Sequence, residues 1–118
     1  PTGIDTSIPI TFYAKWYADT NNAGDVEFTG EGIAAEVGDL INGTLTAAVG
    51  TQVETVPANE QYVFRLVAME IDISSLVPGE EIAHHFYRDA VGGGPPDTLV
   101  GDVVIFGDII VSGYFWRP

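Results

Sequence analysis

Apolar and polar positions alternate from Ile8 to Ala18. Ile8, Ile10, Phe12, Ala14, Trp16 and Ala18 fall on one side, and Thr11, Tyr13, Lys15, Tyr17 and Asp19 on the other. A period of two predicts a β-strand with one buried face. The following run ADTNNAGD is dense in Asn, Asp and Gly and reads as a hairpin loop, with a second strand beginning near Val26 and Phe28. Gly30 and Gly32 interrupt that strand, which predicts a bulge or a close backbone approach. Between Ile33 and Val49 the pattern fits either a short helical turn or two small-residue strands, with Gly38, Gly43 and Gly50 favouring the strands. The stretch Gln61 to Ile73 predicts a long strand, apolar on both faces, with Val63, Val67, Met69, Ile71 and Ile73 on one and Tyr62, Phe64 and Leu66 on the other, which suits a strand buried in a sandwich or lying against another subunit. SSLVPGEE reads as a corner before a strand over Ile82 to Arg88, and AVGGGPPD as a loop. Two closing strands, TLVGDVVIF and DIIVSGYFW, divide near Gly107 and Asp108, and their consecutive apolar residues predict burial on both faces.

These elements make about seven or eight short strands with turn signals between them and no amphipathic helix. The expected fold is therefore all-β, a single antiparallel β-sandwich or jelly-roll-like domain over residues 1–118. A length of 118 residues suits one domain, and 46% hydrophobic against 18% charged residues supplies a core without disulfides or a structural metal. There is no cysteine, so thiolate metal sites and cysteine nucleophiles are excluded. No run approaches the roughly eighteen apolar residues of a helical membrane span, and PTGIDTSIPI lacks the basic and apolar regions of a signal peptide. A start at Pro1 is what loss of an initiator methionine leaves, and an artificial boundary leaves the same.

Charge narrows the class of partner. Seventeen acidic residues stand against Lys15, Arg65, Arg88 and Arg117, for a net charge of −13. Nucleic acid and anionic lipid are thereby disfavoured as direct partners. A surface this acidic suits a halophile or an ordinary acidic protein equally well. Self-repulsion is largely screened once the Debye length falls to about 3 Å at 1 M salt. The melting temperature is therefore expected to climb between low and molar salt, and a flat or falling calorimetric curve would remove the halophile argument.

Candidate chemistry is sparse. His84 and His85 are the only histidines, and neighbouring strand residues point to opposite faces, so the two cannot share a metal or act as one catalytic pair. Ser74, Ser75 and Asp89 form no recognisable nucleophile elbow or triad, and the expectation is not an enzyme. Loop carboxylates at Asp19 and Asp25, and at Asp89, Asp97 and Asp102, match no EF-hand spacing and read as solvated acidic loops before they read as a calcium site. No metal and no cofactor is called for. Asn42-Gly43-Thr44 is a glycosylation sequon, a tripeptide that also arises by chance. Arg88 is scarce cationic material in an acidic chain, with Asp89, Asp97 and Asp102 as bidentate partners across neighbouring loops, so it reads as a structural clasp. Gly79 and Gly101 are expected to serve turns that need unusual backbone angles. Tyr114, Phe115 and Trp116 stand beside the chain end and must be covered, either by the sandwich's own core or at an oligomer or partner interface.

Some of these residues also form a pattern. Val77-Pro78-Gly79-Glu80, then Phe86-Tyr87-Arg88-Asp89-Ala90, then the run from Asp97-Thr98 through Gly101-Asp102 to Gly107-Asp108-Ile109, resembles the structural proteins of tailed viruses of bacteria or haloarchaea. Phe12 to Tyr17, followed by Gly24-Asp25-Val26, is similar to the opening hairpin of the same modules. The middle of the chain does not match, and AVGGGPPD is longer than the family's connection. The resemblance implies a β-sandwich component of the virion with no catalytic residue. On it rests the expectation of a small capsid decoration or cement protein that adheres to copies of itself and to a viral shell protein. Viral symmetry makes a trimer the first form to test. The alternative is a receptor- or glycan-binding tip of a tail fibre or turret, in which Tyr13, Tyr17, Trp16 or Trp116 stacks on sugar.

Overall fold

A computed structural model describes residues 3–5, 7–35, 48–75, 81–90, 95–113 and 115–116. Strands β1 (Gly3–Ile4), β2 (Ile10–Asp19), β3 (Gly24–Ala35), β4 (Ala48–Val56), β5 (Arg65–Ile71), β6 (Glu81–Arg88), β7 (Asp102–Ser112) and β8 (Phe115–Trp116) follow in chain order. Six of them build two antiparallel three-stranded sheets, ordered β5-β2-β7 and β4-β3-β6, while β1 and β8 pair only with each other. No helix occurs among the described residues. The architecture is all-β and sandwich-like with six sheet strands, fewer than the seven or eight expected.

The core lies between the sheets because each central strand carries a strict apolar face. Along β2, Ile10, Phe12, Ala14, Trp16 and Ala18 are buried, as the alternation predicts. Val26 and Phe28 of β3 and Val67, Met69 and Ile71 of β5 meet them, with Trp16 edge-on to Phe28 at 4.9 Å between ring centroids. This contact explains why ADTNNAGD is not a hairpin loop. β2 and β3 each have one apolar face to bury, and they do so by facing one another from different sheets, so the connection arches across the sandwich. Gly30 serves neither a bulge nor a backbone approach but makes room for core side chains: a Cβ there would lie 2.9 Å from Ile71 Cδ1 and 3.0 Å from Phe12 Cδ2.

The two closing strands are one. β7 runs unbroken past Gly107 and absorbs extra residues where its register on β2 shifts, Tyr13 lying opposite Ile110 and Lys15 opposite Phe106. Gly107 sits in that irregularity at φ 71°, the left-handed conformation typical of a bulge glycine. Burial on both faces fails here, since Ile110 and Val111 are exposed. The strand expected over Gln61 to Ile73 starts only at Arg65. Before it a turn holds Tyr62 at φ 67°, with its N–H bonded to the Ala18 carbonyl. Strand β4 was not apparent in the sequence because its inward positions include Gln52 and Glu54, paired with Phe28 and Val26, which breaks the apolar period. Residues 36–47, with the Asn42 sequon and most of the ambiguous stretch, lie outside the described residues, as does Gly79.

Candidate functional site: a clasped corner and an apolar sheet face

β6 ends at Arg88, and its place beside β3 is taken over by the segment 97–99. Thr98 and Leu99 donate their N–H groups to the Asp25 carbonyl at 2.9 and 3.0 Å, and the Asp25 N–H returns to Thr98 Oγ1 at 2.9 Å. Arg88 organises this strap. Its Nε and Nη2 reach the two carboxylate oxygens of Asp97 at 3.0 and 2.8 Å, while Nη1 and Nη2 donate to the carbonyls of Gly101 (2.6 Å) and Leu99 (2.7 Å). The Glu27 N–H also donates to Asp97 Oδ2. Burial by itself would raise the Asp97 carboxyl, but the Arg88 hydrogen bonds, the Glu27 N–H and the Arg88 charge outweigh it and hold the group below the usual carboxylate range. Gly101 lies at φ 134°, and a Cβ there would be 2.6 Å from Thr20.

Of the three carboxylates expected around Arg88, Asp97 pairs with it directly. Asp89 continues β6 by donating its N–H to the Glu27 carbonyl. Its carboxyl lies beside Glu27, whose own carboxyl is pushed up by desolvation and then by the Asp89 charge. Asp102 opens β7 directly across from Asp19. Tyr114 lies outside the described residues, and for Phe115 and Trp116 only the pairing with Ile4 and Gly3 is described.

The two sandwich exteriors differ in chemistry. On β4-β3-β6 the outward positions of β3 are Asp25, Glu27, Thr29 and Glu31, bordered by Thr51, Val53 and Thr55. There Glu31 is buried, with His85 Nδ1 3.5 Å from its carboxylate and the His85 ring stacked on Tyr87. Burial, followed by the Glu31 charge, pushes the Tyr87 hydroxyl up. His84 faces the other way and its ring meets Phe12 at 5.4 Å, so the histidines separate as the strand alternation predicts. The described residues hold no group of three or more His, Asp or Glu able to ligate a metal ion.

On β5-β2-β7 the middle of the exterior is apolar, with Asp19 and Asp102 towards one end and Glu70 towards the other. Tyr13, Lys15 and Tyr17 of β2 lie opposite Ala68 and Leu66 of β5 and opposite Ile110, Phe106 and Val104 of β7. Rings join at one end: Tyr17 meets Tyr62 and Phe106 at 5.8 Å each, and Phe64 meets Phe106 at 5.6 Å. Tyr62, Phe64 and Leu66 are 66%, 63% and 57% exposed. A monomer seldom shows water so continuous an apolar face. Tyr62, Phe64 and Phe106 were not singled out from the sequence. The signal was present in the two-sided apolar character of Gln61 to Ile73, which suits either burial in a sandwich or contact with another subunit, and of Val103 to Phe106, which reads as burial. At the rim, Asp19 accepts from Gln61 Nε2 at 2.9 Å, and its hydrogen bond and charge push the Tyr62 hydroxyl up. Trp16, among the rings expected to stack on sugar, is buried. No protein-family model matches this chain, and no curated protein or solved structure matches it, so the likeness to tailed-virus modules rests on the residues that carry it.

Proposed function

We propose that this chain is a structural component of a virus particle, a small capsid decoration or cement module that works by adhesion. The observation that carries the adhesive reading is the exterior of the β5-β2-β7 sheet, where Tyr17, Tyr62, Phe64, Leu66 and Phe106 occupy positions that a solitary sandwich fills with polar side chains. Burying such a face against a like subunit or a shell protein gives the association its driving force, and the acidic remainder keeps the particle soluble. The viral setting comes from the resemblance carried by residues between Val77 and Ile109 and by Phe12 to Tyr17 with Gly24-Asp25-Val26.

A second reading has one feature in its favour. Tyr62 stands exposed beside Asp19 and Gln61, a ring next to planar polar groups, as a glycan-binding tip requires. Particle composition separates the two readings. Decoration predicts hundreds of copies per particle by quantitative mass spectrometry, and loss of rebinding to stripped particles by the Phe64→Asp chain. A few copies per particle, or rebinding unchanged by Phe64→Asp, overturns the decoration reading.

A further inference from the structure

The geometry points to a second copy of this chain as the occupant of the apolar face, packed across a two-fold axis near Tyr17 so that Lys15 of each copy meets Asp19 and Asp102 of the other. The inference rests on the adhesive reading of that face and adds the partner and its register.

Charge is the first argument. The chain carries −13, and an identical copy can approach closely only where carboxylates are sparse. The middle of the β5-β2-β7 exterior is such a place: Tyr13, Tyr17, Leu66, Ala68, Val104, Phe106 and Ile110 surround Lys15, the chain's one lysine. Among the described residues Lys15 makes no ion pair. Asp19, Asp102 and Glu70 stand towards the ends of this face, whereas on the opposite exterior Asp25, Glu27 and Glu31 run along the central strand β3 itself.

Register is the second. Asp19 and Asp102 face each other directly across the β2-β7 ladder and are both exposed, and like charges in that relation destabilise a sheet. Gln61 Nε2 and the Tyr62 hydroxyl hydrogen-bond Asp19 but bring no positive charge, so a cation placed over the pair relieves the repulsion. Within one copy Lys15 lies four residues from Asp19 on the same face of β2, with Tyr17 midway. When two such faces stack with their β2 strands antiparallel about Tyr17, position 15 of one falls over position 19 of the other, twice by symmetry. The same stacking puts Tyr17, Tyr62, Phe64 and Phe106 of both copies at the centre, where aromatic residues contribute most to association, and the ion pairs at the flanks, where they set register.

Sedimentation equilibrium of the full chain in molar salt, where net repulsion is screened, tests this. The wild type is expected to form a dimer at micromolar concentration. Lys15→Glu and Asp19→Lys, at exposed positions, are each expected to raise the dimer Kd by about tenfold or more, and the double variant to recover most of that loss. A wild-type monomer at tens of micromolar, a trimer, or a double variant no tighter than either single overturns the inference. Circular dichroism melts identify any single variant that lost its fold, in which case Lys15→Gln and Asp19→Asn carry the comparison, each again expected to weaken the dimer. The particle experiment is separable from this one. A monomeric wild type whose Phe64→Asp form fails to rebind particles defeats the pairing and leaves the adhesive reading intact. A dimer whose Phe64→Asp form rebinds normally does the reverse.

Discussion

Arg88→Ala is expected to destabilise the fold by about 3 kcal/mol, as when one member of a buried ion pair is removed. The magnitude follows from what the guanidinium leaves behind. Asp97 is 5% exposed in its side chain and accepts two Arg88 hydrogen bonds, and two backbone carbonyls, of Leu99 and Gly101, accept from the same group. Without Arg88 a buried carboxylate keeps, among the described residues, only the Glu27 N–H, and the strap along β3 loses its anchor at both ends. Urea unfolding measures the loss, and a change within roughly 0.5 kcal/mol would make Arg88 an ordinary surface residue. The pH dependence has a definite sign. Because the folded Asp97 carboxyl lies below its unfolded value, its contribution is fully present above the usual carboxylate range and is lost as pH falls through the folded value. The Arg88→Ala protein should therefore lose less stability on acidification than the wild type, and an equal loss in both would remove Asp97 from the acid limb.

Trp16→Ala is expected to cost about 4 kcal/mol, within the range for deleting a large buried aromatic. The ring is 1% exposed, lies against Phe28 and has the Arg65 guanidinium 5.7 Å from its centroid. Arg65 is itself bound to Glu60, so truncation opens a void between the sheets and strips the cation of its aromatic support. Trp16→Phe should cost much less. The indole N–H has no hydrogen-bond partner among the described residues, and the smaller ring removes that buried donor together with the volume. Equal destabilisation by Ala and Phe would mean that the site depends on the indole and not on filled space. Because Trp16 faces the core, neither variant should change self-association except through loss of the fold.

Legibility in the sequence varied from element to element for physical reasons. Strand β2 was readable from Ile10 onward, though not at Ile8, which precedes it, because a strand flanked on both sides must alternate between core and exterior, and its five buried residues belong to the expected apolar face. The pairing of Arg88 with Asp97 was likewise suggested by scarcity, one of three arginines among 17 acidic residues, although proximity in the chain could not separate Asp97 from Asp89 and Asp102. The separation of His84 from His85 followed from the alternation of strand side chains alone.

Pairing, by contrast, was decided only in three dimensions. A loop rich in Asn and Gly connects strands equally well within a sheet or between sheets, and it is the meeting of Trp16 with Phe28 that sends β3 into the second sheet. Gly107 marks a break in pattern, and only the neighbouring β2 ladder turns that break into a bulge within one strand. The apolar exterior of β5-β2-β7 was least legible of all. Composition and periodicity register that Phe64, Leu66 and Phe106 are hydrophobic, but whether such a side chain faces a core or the solvent depends on what lies across the sheet. Local pattern therefore determined the strands and their inner faces, while long-range pairing decided which of the remaining faces was left without cover.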